Sequence, residues 1–126
     1  MVLCADLADC QVITEAVQSC MLEAVNCSSL EEAQQLMARS DIALVLCDDR
    51  LRAGTCRELL AMPPRAGRKV PIVVIMPEPV GDDAYREDIG QGAFEVLASP
   101  CSRQDVQWVV IRAMEQKLPP RSAQRA

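Results

Sequence analysis

The sequence predicts an α/β fold: a five-stranded parallel sheet in the order 2-1-3-4-5, flavodoxin-like, with helices on both faces in a three-layer sandwich. Three observations carry that expectation. Five short apolar stretches alternate with five longer, helix-patterned ones, and parallel strands need such helical crossovers, which are right-handed. The stretch VPIVVIM at residues 70–76 is a continuous run rich in β-branched residues, the mark of a strand covered on both faces. The chain has 126 residues, 50% of them hydrophobic and 25% charged, which is enough for one core and too little for two.

The elements follow in order. Residues 2–5, VLCA, form the first apolar run, and DCQVITEAVQSCM (9–21) places Val12, Ala16, Val17, Cys20 and Met21 at helical spacing. AVNCS (24–28) is a second strand. In SSLEEAQQLMARS (28–40), Ser29 and Glu32 have capping-box spacing, and Leu30, Ala33, Leu36 and Met37 make the stripe to be buried. The third strand, IALVLC (42–47), runs into Asp48 and Asp49. GTCRELLAM (54–62) is a short helix stopped by Pro63 and Pro64. After the fourth strand comes a polar helix, DDAYREDIGQ (82–91), then FEVLA (94–98) as the fifth strand and SRQDVQWVVIRAMEQK (102–117) as the closing helix. A single domain thus spans residues 1–117, and residues 118–126 form a flexible Pro-rich tail.

Composition narrows the function. Thirteen basic against 18 acidic residues give a net charge of −5, so phosphate backbones are repelled and nucleic acid is not the expected partner. The seven cysteines include no C-x-x-C pair, and there is no histidine, which argues against a zinc site or redox motif. Free thiols serving as small core residues in a reducing cytoplasm fit that pattern. No apolar run reaches the ~20 residues of a membrane span, and a cytoplasmic location is expected.

In a sheet of this order the binding crevice lies at the carboxyl ends of strands 1 and 3. Strand 1 ends at Ala5 and Asp6 and strand 3 at Asp48 and Asp49, so acids distant in sequence converge there. Such acids either close solvated turns or hold a hard, oxygen-seeking cation such as Mg²⁺. A carboxylate beside such a cation is also able to attack phosphorus and form an aspartyl-phosphate.

ALVLCDDRLRAGTCRELL (43–60) resembles the third-strand motif of response-regulator receiver domains, with Asp48 in the phosphoacceptor place, Leu51 in the apolar place and Gly54 near the glycine. RKVPIVVIM (68–76) and GQGAFEVLASP (90–100) are similar to the fourth and fifth strands of that family. The resemblance spans about residues 1–117. It implies a phosphorelay function in two-component signalling, with a histidine kinase or another signalling protein as partner and no enzymatic activity. It also implies weak Mg²⁺ binding by Asp6, Asp48 and the backbone carbonyl of Arg50.

The departures are equally specific. Ala5 stands where a second acid is usual, Met76 replaces the fourth-strand hydroxyl, Ser99 replaces the fifth-strand lysine, Arg52 replaces a proline, and Val96 falls in the switch-aromatic place. Met76 lacks a donor and Ser99 lacks a charge. The expectation is therefore a weakened or altered phosphorylation switch, with a phosphate-independent pseudo-receiver as the alternative. An independent enzyme or cofactor carrier is a third class, but no Gly-rich phosphate loop or histidine base supports it. The family also implies a cis bond between Ser99 and Pro100. In the closing helix Val106, Val109, Val110 and Ala113 share one side, which turns Trp108 and Ile111 outward as contacts for a homodimer or another partner.

Overall fold

The structure, a computed structural model, describes residues 1–39, 41–51, 55–62 and 70–115. The elements alternate as the sequence predicts: β1 (Val2–Leu3), α1 (Leu7–Ser19), β2 (Asn26–Cys27), α2 (Leu30–Arg39), β3 (Val45–Asp48), α3 (Thr55–Ala61), β4 (Ile72–Pro77), α4 (Asp82–Gly90), β5 (Glu95–Ser99) and α5 (Arg103–Glu115). The sheet is five-stranded with the order β2-β1-β3-β4-β5, and every pairing is parallel. Among the residues whose sequence reading falls outside the described ones are Arg52, Gly54, Pro63, Pro64 and the tail.

Strand alternation sorts the core into two clusters. Val2, Leu44, Leu46, Val73, Ile75 and Leu97 pack with Ile13, Ala16 and Val17 of α1 and with Val106, Val109, Val110 and Ala113 of α5. Leu3, Val45, Cys47, Ile72, Val74 and Met76 point the other way, toward Ala33 of α2, Cys56, Leu59 and Leu60 of α3, and Ile89 of α4. Burying each of the three α5 valines contributes about 1.5–3 kcal/mol, which explains why this helix docks by its valine side. Four of the cysteines, Cys27, Cys47, Cys56 and Cys101, are buried in this packing, and all seven are free thiols. Burial pushes the Cys101 thiol up to about 12, and the adjacent Asp9 and Asp48 charges act in the same direction.

One expectation about a buried face is corrected. The inward stripe of α1 is Asp9, Ile13, Ala16 and Val17, not the set ending in Cys20 and Met21. The helix stops at Ser19, and Met21 lies beyond it at φ 63 and is exposed, because a positive φ carries the chain off the helical path. In the polar helix α4, Asp88 is buried.

Candidate functional site

β-register sets the site. Leu3 pairs with Cys47 and Asp48 with Ile75, so β3 ends at the sheet's carboxyl edge between the β1–α1 turn and the last residues of β4. Parity then aims Asp48 to the side of Leu46, toward α1 and α5, where it is fully buried. The Ser99–Pro100 bond at the end of β5 is cis, as the family resemblance implied, and Ser99 reaches the same crevice.

Asp48 has no acceptor capacity to spare. Its Oδ1 accepts from the Arg50 backbone N–H at 2.9 Å and from Arg50 Nε at 3.0 Å. Its Oδ2 accepts from Arg50 Nη2 at 2.8 Å and from the Ala5 N–H at 3.2 Å. A carboxylate offers about four lone-pair sites, and here all four are taken. The Nε–Nη2 edge of the guanidinium forms a two-point fork on Asp48, the strong geometry for an Arg–carboxylate pair.

The same guanidinium ties in two other elements. Nη2 lies 2.9 Å from Asp9 Oδ2 and 3.0 Å from Ser99 Oγ, while Ser99 Oγ itself donates to Asp9 Oδ2. The remaining Asp9 oxygen accepts from the Cys101 N–H at 3.0 Å. Burial alone would raise the Asp9 carboxyl, but hydrogen bonds from Ser99, Cys101 and Arg50 together outweigh it and hold the group below its ordinary value. The Arg50 guanidinium is raised further above its normal range, first by its bonds to Asp48.

Asp6 stands after β1, at the expected edge. Its Oδ1 accepts from the backbone N–H groups of Ala8 and Asp9, capping α1. Arg50 meets Asp48 through its backbone N–H and its guanidinium. Met76 packs beside Cys47 and Val74 in the other cluster, so the hydroxyl place of β4 presents no donor to Asp48. Trp108 is 64% exposed and Ile111 45%, both on the outer side of α5.

Sequence reading missed Asp9. A signal was present: Asp9, Ile13, Ala16 and Val17 have 4-3-1 spacing, so Asp9 begins the buried stripe of α1. That signal is masked because an acid in a first helical turn is ordinarily a solvated, favourable charge. Among the described residues, no group of three or more His, Cys, Asp or Glu side chains is arranged to hold a metal ion. The donor set does not fit Mg²⁺, since Asp48 is saturated, Asp6 caps its helix and Asp9 is committed to Ser99, Cys101 and Arg50.

The fold is that of a receiver domain, a doubly wound sheet with an aspartate at the carboxyl end of the third strand. Solved response-regulator structures share it. A response regulator from Thermotoga maritima is 15% identical at TM-score 0.75, covering 91% of this chain and 95% of its own. A receiver domain protein from Clostridium thermocellum is 21% identical at TM-score 0.72, covering 92% and 93%. The receiver domain of a sensor histidine kinase from Pseudomonas aeruginosa, described with a magnesium ion in its active-site cleft, is 24% identical at TM-score 0.71, covering 90% and 94%. No family model and no curated protein matches the sequence. Among the described residues no helix is long and apolar enough to cross a membrane.

Proposed function

We propose that this chain is a receiver-fold signalling module that works through protein contacts, with Asp48 kept as a structural acid and no phosphate switch behind it. The observation that carries this reading is the saturation of Asp48, whose oxygens accept four hydrogen bonds while the residue is fully buried. Attack on phosphorus needs a free lone pair and an open approach. A switch further needs groups that bind the phosphoryl oxygens better in one conformation than in another. Met76 is apolar and buried, and the Ser99 hydroxyl is spent on Asp9, so neither place supplies such a group.

The module's partner would be a histidine kinase or another signalling protein, or a second copy meeting the outer face of α5. We place it in the cytoplasm and assign it no catalytic activity of its own. Incubation with Mg²⁺ and a small phosphodonor, followed by intact-mass measurement, is the direct test. The expected spectrum is that of the unmodified chain. A phosphoryl adduct that disappears in Asp48→Asn would overturn the reading. It would favour the second one, a phosphoacceptor with an altered switch, which the position of Asp48 at the end of β3 supports.

A further inference from the structure

Three oxygens from three separate elements converge on one nitrogen. Asp48 Oδ2 of β3, Asp9 Oδ2 of α1 and Ser99 Oγ of β5 lie 2.8, 2.9 and 3.0 Å from Arg50 Nη2. An array of this kind, two carboxylates and a hydroxyl at the carboxyl edge of the sheet, is the chemistry of a hard-cation site. We propose that the Arg50 guanidinium is the resident cation of this crevice, standing where a divalent ion would sit and excluding Mg²⁺ from it. The inference rests on reading the Asp48 crevice as the counterpart of a receiver site.

Several independent features favour the guanidinium over a metal. The first is size: the oxygens stand at hydrogen-bond distance, whereas Mg²⁺ demands about 2.0–2.1 Å and near-octahedral order. The second is hydrogen geometry. One Nη2 hydrogen completes the fork on Asp48 with Nε, and the other is shared between Asp9 Oδ2 and Ser99 Oγ, so the donors match the acceptors in direction as well as charge. A third is connectivity, because Arg50 lies two residues from Asp48 and its N–H already binds the same carboxylate. An intramolecular cation held this way acts at an effective concentration that a dissolved ion of millimolar strength must overcome. Finally, Mg²⁺ keeps several of its waters, and the enclosed Asp48 leaves them no room.

The arrangement is also a latch. Asp48 becomes available to a metal only if the Arg50 side chain, 31% exposed, leaves these partners and swings into solvent. Ser99 donates to Asp9 and accepts from Nη2, which ties the end of β5 into the same cluster.

The test compares wild type, Arg50→Gln, Arg50→Lys and the double variant Arg50→Gln with Asp48→Asn. Melting temperature is followed against Mg²⁺, and Mn²⁺ binding is read on the folded proteins from water-proton relaxation. Wild type should show no Mg²⁺-dependent shift and no bound Mn²⁺. Arg50→Gln should melt lower without metal and rise by about 5 °C at roughly ten times its dissociation constant. Adding Asp48→Asn should erase that rise. Stoichiometric Mn²⁺ binding by wild type would overturn the proposal, as would an Arg50→Gln protein indifferent to metal or a gain that survives loss of Asp48. Should Arg50→Gln fail to fold, Arg50→Lys decides, because an ammonium cannot make the planar fork. A metal response above wild type supports the latch, and a response equal to wild type refutes it. Phosphorylation of the wild-type chain would overturn the phosphate-independent reading, while metal exclusion is judged by these titrations alone.

Discussion

Asp48 and Asp88 are both buried carboxylates, and what separates them is their partners. Asp48 has four donors, whereas Asp88 Oδ2 has no hydrogen-bond partner among the described residues. Burial raises the Asp88 carboxyl, and the Asp49 and Glu87 charges push it further up against a smaller opposing effect of Arg57. A carboxyl whose folded pKa exceeds its unfolded value of about 3.9 binds more protons in the native state, so stability falls as pH rises between the two values. Asp88→Asn keeps the shape and removes the charge. It should raise the melting temperature at pH 7 and flatten the pH slope just above pH 4, measured by thermal melts across pH 4 to 8. Asp9 has the opposite sign. Its carboxyl is lowered, so its contribution is complete above about pH 3.9 and disappears as pH falls through the folded value. Asp9→Asn leaves the Arg50 and Cys101 donors poorly served, and urea unfolding at pH 7 should show a loss of about 1–3 kcal/mol that shrinks in acid.

At the scale of the element, α1 explains why Asp6 is needed even without a metal. Its carboxylate satisfies two N–H groups that a helix start leaves unpaired. Asp6→Ala should cost about 1 kcal/mol in urea unfolding, and Asp6→Ser, another good cap, should cost almost nothing. A metal-ligand role would instead make both changes equivalent and their effect dependent on Mg²⁺. The elements themselves were legible because burial imposes a period: the all-buried run at Ile72–Met76 and the valine side of α5 appear where the pattern put them. The crevice was legible only in outline. Asp48 was marked by its place at the end of an apolar strand, but side-chain direction is a tertiary property. Nothing local distinguishes an Arg50 lying in solvent from one folded back over Asp48, and its partners Asp9 and Ser99 lie 41 and 49 residues away.

Across the whole molecule, the two sides of α5 meet different surroundings. The inner side of α5 is saturated by the core, while its outer side carries Trp108 at 64% exposure and Ile111 at 45%. Neighbouring positions extend that surface into β5 and α4: Arg112 reaches Glu95 at 3.2 Å and lies 5.7 Å from the centre of the Phe94 ring, and Tyr85 is 40% exposed. An aromatic and an aliphatic residue rimmed by an ion pair form the composition of an interface centre with a polar edge. Trp108 is mostly exposed, so its replacement separates association from stability. Sedimentation of the wild type should show a concentration-dependent dimer that forms without phosphodonor. Trp108→Ala should weaken it by about 2 kcal/mol, the scale of an interface hot spot, or roughly thirty-fold in Kd, while circular dichroism and the melting temperature stay close to wild type. A wild-type chain that remains monomeric at the highest soluble concentration would remove the second-copy reading of this face. A melting temperature that collapses with Trp108 would show that the side chain serves the core after all.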